Sequence, residues 1–379
     1  MHKGHRIIDG HIHYCLDIEP AYMTELLDRT GTDMANLAAI THGDRVSCTP
    51  ELLALKYMNP GRFWVYGSLD PCLYYRGGED MGRLMAEHCQ RLLDMGCDGI
   101  KLLEGKPQLR RALPVPDFDA DCWEEFWAWA ERQRVPLLWH VNDPENFWDA
   151  SAVPVWAAAQ GWLYDESYIN NEEQYRQVLT VLERHPGLKV IFAHFFFMSA
   201  QLDRLEKIMD SYNNIMVDLT PGIEMYENFS KTPGRTAEFF RKFEGRICYG
   251  TDIASRFVYN TEGKPFNEKE NLRRPEIVRD FLFEEGEITI SSDGNFLHNR
   301  PDFQMHCLNL SHEALDKIMG GNFVSFTGGL PKAVDAGKVL AECDQIRWKL
   351  DSAAAMPGFE PDYRGVNAAE SYFSSVFKG

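Results

Sequence analysis

Eight short, β-rich apolar runs alternate with longer amphipathic stretches along the first two-thirds of the chain. The runs cover residues 6–11, 34–41, 62–69, 98–103, 136–141, 189–194, 215–219 and 247–251. Between them, residues 81–95, 121–132, 171–184 and 200–211 place apolar side chains at helical spacing. Alternation of this kind calls for parallel strands joined by helical crossovers. Eight such units within roughly 250 residues are what a closed (β/α)8 barrel needs. The predicted fold class is therefore α/β, a TIM barrel. A doubly wound open sheet would carry a glycine-rich phosphate turn after an early strand, and here the first run leads into His11-Ile12-His13 instead.

The chain beyond the eighth run is less regular. Residues 260–271 are polar and loop-like, and 276–285, entered through Pro275, read as a helix because proline suits a first turn. Residues 287–294 read as a short strand and turn, and 311–319 as a helix that ends at Gly320-Gly321. A further helix at 333–354 precedes a tail bearing Pro, Gly and Tyr. The predicted organisation is a barrel domain over 1–330 and a C-terminal helical extension over 331–379 that is too short to stand alone. That extension is a candidate contact for the barrel or for a second copy in a homo-oligomer. No internal repeat or low-complexity tract interrupts the chain.

Composition narrows the class of function. Of the 379 residues, 44% are hydrophobic and 12% aromatic, enough for a large core and too apolar for disorder. With 57 acidic against 39 basic residues the net charge is −18, which repels phosphate backbones and argues against a nucleic-acid partner. The nine cysteines form no CxxC pair, the pattern of reduced thiols in a cytoplasmic protein. The N-terminus lacks the apolar stretch of a signal peptide. The longest apolar run, near 190–197, is short and broken by His194, so no membrane association is expected.

Chemistry concentrates at the ends of the runs. His11 and His13 are two apart on a predicted strand and so share a face. In a barrel that places both at the C-terminal mouth, where such folds keep their active sites. Two neutral imidazoles are half of a metal site. His140 is next to last in the fifth run, His194 ends the sixth, and Asp252 follows the eighth. Polar groups at the ends of buried strands are costly unless paired or coordinating, and five of them on four strands favour a shared metal over isolated core histidines. Asp9 reads either as an acceptor that orients an imidazole or as a buried carboxylate bonded to backbone. Tyr14, Asn142, Glu145, Glu224, Tyr226 and Arg256 follow strands and are candidates for substrate contact. Arg256, Arg110 and Arg111 could each clamp a carboxylate. Trp139 and Trp162 read as core or pocket wall. His5 and His312 have no such positional support and read as ordinary.

The motifs Asp9-Gly10-His11-Ile12-His13, Gly99-Ile100-Lys101-Leu102, His140, Ala193-His194, Gly250-Thr251-Asp252 and Ile318-Met319-Gly320-Gly321-Asn322-Phe323 span most of the chain. In this order and spacing they resemble the metal-dependent amidohydrolase superfamily, in particular the amidohydrolase-related branch that contains both hydrolases and decarboxylases. The resemblance implies a divalent ion, Zn²⁺ first and Mn²⁺ as the alternative, held by His11, His13, His140 and Asp252. It places His194 beside that ion, as a ligand to a second metal or as a polariser of substrate, and it makes Asp252 the proton acceptor from a metal-bound water. Lys101 stands where binuclear members carry a carboxylated, bridging lysine. In the branch resembled most one ion is usual, so one ion is expected, with Lys101 left either to bind a substrate carboxylate or to point away into a salt bridge.

The expected activity is metal-dependent hydrolysis of an amide, lactone or ester in a small molecule, with Asp252 and His194 as the catalytic pair. The alternative is non-oxidative decarboxylation of an aromatic or enoic acid. A catalytically silent binding barrel ranks last, because every expected ligand position is filled.

Overall fold

The computed structural model describes residues 3–14, 20–40, 46–222, 224–254, 268–291, 302–355 and 360–376. Its barrel is built of eight strands, β1 (Ile8–Ile12), β2 (Met34–Ala38), β3 (Phe63–Ser68), β4 (Gly99–Gly105), β5 (Pro136–Val141), β6 (Lys189–Phe192), β7 (Ile215–Asp218) and β8 (Ile247–Cys248). They pair in parallel in chain order. Backbone bonds of 2.9 Å from Gly10 N to Tyr249 O and from Asp252 N to His11 O join β1 to the chain around and beyond β8, closing the barrel. The protein is an α/β TIM barrel with a helical C-terminal part.

The main crossover helices are α1 (Pro20–Arg29), α2 (Thr49–Met58), α3 (Met81–Met95), α4 (Glu124–Arg132), α5 (Asn171–Arg184), α6 (Leu202–Ser211) and α7 (Pro233–Phe243). In α3 the buried positions Met81, Met85, Cys89 and Leu92 follow the helical period and face the sheet. The helix stops at Gly96, whose φ of 113° lies in a region that side chains avoid. A Cβ there would also sit 2.5 Å from Ala333 O.

Four differences from the sequence reading lie beyond β8. Helix α8 (Glu268–Phe283) begins earlier than predicted and contains Pro275 in its interior. Its added first turns carry Glu270, Asn271 and Arg274, whose hydrogen bonds hold the chain at Asp252 and Ala254. Strand β9 (Glu287–Ile290) is paired antiparallel with β10 (Phe303–His306), which was not anticipated. After α9 (His312–Asp316) the chain does not stop at Gly320-Gly321 but passes through a widened turn into α10 (Asn322–Thr327), which ends at Gly328 with φ 91°. The tail forms α12 (Arg364–Val376) after α11 (Ala336–Ala353). Residues 260–267, within the predicted polar loop, and 292–294, the predicted turn, lie outside the described residues.

The lower half of the barrel is filled by Ile8, Trp64, Tyr66, Leu138, Ile191 and Cys248, closed from beneath by Phe323 and Phe326 of α10. Trp64 meets Phe323 edge-on at 5.5 Å. Val339, Ile346, Leu350 and Phe373 from α11 and α12 belong to the same apolar cluster as the crossover helices. Gly320 explains why the chain runs through rather than stopping: a Cβ there would lie 2.9 Å from Ile8 Cβ, so only glycine lets this turn approach β1. Gly320→Ala is expected to cost about 1–3 kcal/mol through overpacking. A urea-unfolding midpoint equal to wild type would show that Ile8 yields freely. No helix among the described residues is long and apolar enough to cross a membrane.

Candidate active site

The mouth of the barrel begins at an irregularity in β1. Its pairing register against β2 shifts between Asp9 and Ile12. Ile8 faces the interior cluster while Ile12 joins the outer core, so strict alternation fails within one strand. His11 and His13 both line the mouth cavity, and Asp9 does not share their course. The Asp9 carboxylate accepts from His11 N at 3.1 Å, Thr251 N at 3.2 Å and Thr251 Oγ1 at 2.5 Å. It thus ties β1 to the end of β8 and orients no imidazole. Burial, only partly offset by these bonds, pushes its pKa up to about 7.

His11, His13 and Asp252 present ligand atoms that all lie within 4.8 Å of one another. The hydrogen-bond partners fix what each ring offers. His11 Nδ1 faces Asp218 Oδ2 at 2.9 Å, and His13 Nδ1 faces Ala38 O at 2.8 Å. Both partners are acceptors, so each Nδ1 carries the proton and each Nε2 turns a lone pair toward the centre. His13 Nε2 then stands 3.0 Å from Asp252 Oδ1. At that separation either a proton or a metal cation lies between them. Burial first, then the Lys101 charge, keeps His11 neutral with a pKa well below its ordinary value. Burial would raise Asp252, but His13 and Arg274 hold it well below the usual carboxylate range.

The other expected residues line the same cavity without joining that trio. His140 Nε2 is buried, has no hydrogen-bond partner and lies 3.5 Å from Asp143 Oδ1. His194 packs against it at 4.9 Å between ring centroids and lies 5.5 Å from His11. His194 Nδ1 faces Thr220 O at 3.3 Å, which again leaves Nε2 as the lone pair. Lys101 Nζ approaches His11 Nε2 at 3.0 Å, and burial lowers its pKa to about 8.

Local backbone geometry explains how these groups turn inward. The residues leaving β5, β6 and β8 are Asn142, His194 and Asp252, with φ of 71°, 54° and 56°. Asn, Asp and His are the side chains that best tolerate this left-handed region. After β6 the conformation persists through Phe195, Phe196 and Phe197, at φ 56°, 59° and 51°. Ring contacts hold the turn: Phe196 stacks on Phe192 at 3.9 Å, and Phe197 on His194 at 5.0 Å. Asp218 Oδ1 accepts from His194 N at 2.8 Å, so one carboxylate positions His11 through one oxygen and the β6 turn through the other.

The cavity above the trio has a volume of about 210 Å³, with Phe147, Trp162 and Phe197 among its walls. Lys106 reaches it while bound to both oxygens of Asp143, at 2.7 and 2.8 Å, and lies 4.4 Å over the Trp162 ring. Tyr164 donates to the same carboxylate at 2.5 Å. Glu145 and Glu224 line an adjoining outer cavity of about 600 Å³ that shares Phe197 with the first.

Several expected substrate contacts turn elsewhere. Asn142 spends its amide on Asn171 O and Gln174, bracing β5 against α5. Tyr14 is buried in the outer core, and Tyr226 donates to Leu219 O. Arg110 binds Gln177 and Asp117, and Arg111 lies over Tyr168. Arg256 lies outside the described residues. Trp139 is core, stacked on Trp127 at 4.9 Å, whereas Trp162 is pocket wall.

Sequence reasoning missed Asp218, Arg274 and the Lys106–Asp143 pair. Asp218 was visible as the one acid closing an apolar run at the end of β7, the same signal that marked Asp252. Arg274 is nearly inaccessible, donating to Glu270 at 3.0 Å and Asp252 Oδ2 at 3.1 Å, and nothing local in the sequence reports that burial.

A family model described as Amidohydrolase matches residues 78–322. No curated protein sequence matches significantly. Among solved structures, an uncharacterized TIM-barrel protein from Bordetella bronchiseptica is 13% identical with a TM-score of 0.52, over 85% of this chain and 99% of that one. 2,6-Dihydroxybenzoate decarboxylase from Rhizobium is 14% identical with a TM-score of 0.52, over 86% and 99%. A dihydroxybenzoic acid decarboxylase from Polaromonas sp. JS666, solved with manganese and 2-nitroresorcinol, is 15% identical with a TM-score of 0.52, over 86% and 97%. At such identities the likeness is one of fold.

Proposed function

The chain belongs to the amidohydrolase family, a family of generally metal-dependent enzymes, and from that premise we propose that it is a hydrolase of a small, planar, carboxylate-bearing molecule. The observation that carries this reading is the trio His11, His13 and Asp252, donor atoms within 4.8 Å, facing a cavity of about 210 Å³. These residues fit a divalent ion. His13 Nε2 and Asp252 Oδ1, 3.0 Å apart, are close enough to share one ion in place of a proton. His140 Nε2, buried in the same wall and 3.5 Å from Asp143 Oδ1, is the further nitrogen we assign to the ion. We assign one ion to these four residues, Zn²⁺ before Mn²⁺ on the imidazole-rich donor set. Such an ion, when bound, polarises a substrate oxygen and makes water acidic enough to react near neutral pH.

The protein's own groups do the rest. Asp252 takes the proton of the attacking water at Oδ1 while Arg274 steadies Oδ2. As the new oxygen–carbon bond forms and the amide, lactone or ester bond breaks, Asp252 passes that proton to the leaving atom. His194, with Nδ1 turned to Thr220 O, accepts the second O–H of the water at Nε2 and so orients it. In that tautomer it cannot donate to a developing oxyanion, which favours this role over that of polariser. Lys101 Nζ stands 3.0 Å from His11 Nε2 in the wall of the cavity, and we assign it to a substrate carboxylate. Phe147, Trp162 and Phe197 exclude bulk water.

Decarboxylation is the second reading, favoured by the same aromatic walls and by Lys101 and Lys106, which together suit an aromatic acid. The decarboxylases that share the fold are consistent with it. Incubation of metal-loaded protein in ¹⁸O-water with lactone, amide and hydroxybenzoate panels separates the two. Hydrolysis is expected to place ¹⁸O in the product, whereas CO₂ release without it would select decarboxylation. His11→Ala is expected to strip the centre of most of its metal, and full stoichiometry by elemental analysis would refute the ligand assignment.

A further inference from the structure

Far from the mouth, three residues before β1 begins, a second group of metal-competent side chains comes together. His5, His312 and Asp316 present ligand atoms within 4.8 Å of one another. Asp316 divides its carboxylate between two imidazoles, with Oδ1 2.7 Å from His5 Nδ1 and Oδ2 3.5 Å from His312 Nε2. The two rings are 4.2 Å apart between centroids and tilted by 44°. The i, i+4 spacing of His312 and Asp316 puts both on one face of α9, and Ser311 caps that helix by accepting from Ala314 N at 3.2 Å. His5 is 3% exposed and packs edge-on against Phe283 at 5.4 Å, so its ring is fixed before anything binds.

The surrounding charges leave the group available. Lys317 is engaged by Glu244 and Glu313, each at 2.7 Å, and Lys3 by Glu284. Among the described residues no lysine or arginine pairs with Asp316. Two imidazoles and a carboxylate make a borderline nitrogen–oxygen donor set. It suits Zn²⁺ and neighbouring late divalent ions rather than Mg²⁺ or Ca²⁺, which prefer all-oxygen surroundings.

We propose that His5, His312 and Asp316 form a peripheral Zn²⁺ site with a solvent-facing fourth position, separate from the centre at the barrel mouth. The ion would join the segment entering β1 to α9. The chain beyond α9 presses Gly320 against Ile8, so the clasp would fasten β1 at its lower end.

The test uses the full chain, Zn²⁺ alone as probe, and the variants His312→Ala and Asp316→Asn. Both residues are exposed, at 73% and 56% of the side chain, so neither change threatens folding. Wild type is expected to bind one more equivalent of Zn²⁺ than either variant by calorimetry and elemental analysis. In a His11→Ala background one equivalent should persist and vanish when His312→Ala is added. The thermal midpoint of wild type should rise with Zn²⁺ by more than that of His312→Ala. Equal stoichiometry in wild type and His312→Ala would overturn the site. The outcome is independent of the reaction at the barrel mouth.

Discussion

Replacing Asp218 with asparagine is expected to lower metal affinity at the barrel mouth by about 10–100-fold, the usual effect of losing a partner behind a metal-binding histidine. The carboxylate faces His11 Nδ1 at 2.9 Å and accepts from His194 N at 2.8 Å and Thr220 N at 3.1 Å. An amide nitrogen placed against His11 Nδ1 would drive the ring to its other tautomer, with the proton on Nε2 and the lone pair directed away from the centre. Asp218→Ala removes the acceptor altogether and leaves buried N–H groups unpaired, at about 1–3 kcal/mol each. The two variants should therefore diverge. Both lose metal in a chelator-competition titration, but only the alanine variant should also lose much thermal stability. Wild-type affinity in Asp218→Asn would mean that His11 does not bind metal through Nε2.

Arg274→Met is expected to destabilise the fold by about 3–5 kcal/mol, the range for removing one partner from a buried ion-pair group. The guanidinium serves Glu270 Oε1 at 3.0 Å, Asp252 Oδ2 at 3.1 Å and Asp252 O at 3.1 Å. Methionine matches its length and apolar stem, so the loss would be one of charge and hydrogen bonding rather than of volume. Removing that positive neighbour should also raise the Asp252 pKa, moving the acid limb of the activity profile to higher pH. A denaturant-unfolding curve and a pH profile on the same sample measure both effects. An unchanged midpoint would show that the arginine is no more than a filler between α8 and the barrel.

The barrel was legible because its signals are local and repeated. Each strand is a short apolar run, and helices such as α3 and α5 carry the full helical period, so their ends match prediction. The mouth histidines were legible for a related reason: a polar residue closing an apolar strand stands out in one dimension. Legibility fell where long-range packing decides. Pro275 looked like a helix start, yet the turns before it are held in place by contacts with Asp252 and Ala254. Gly320 looked like a stop, yet its missing side chain makes room for Ile8, more than 300 residues away in sequence. Asp9 stayed open between orienting an imidazole and bonding backbone, because the register shift that decides between them does not show in the sequence. Among the loop residues read as substrate contacts, Asn142 and Tyr226 spend their polar groups on neighbouring structure, because a polar side chain beyond a strand can as readily brace the fold.

The reversed-hand turn after β6 has a mechanical implication. Four successive residues with side chains in the mirror-image basin store on the order of 4–8 kcal/mol of conformational strain. Stacked rings and a single carboxylate restrain it. The two basins are divided by a steric barrier near φ zero, so the segment has no gentle way to relax. His194 and the aromatic wall at Phe197 share that one turn, so a substitution that relaxed it would displace both together.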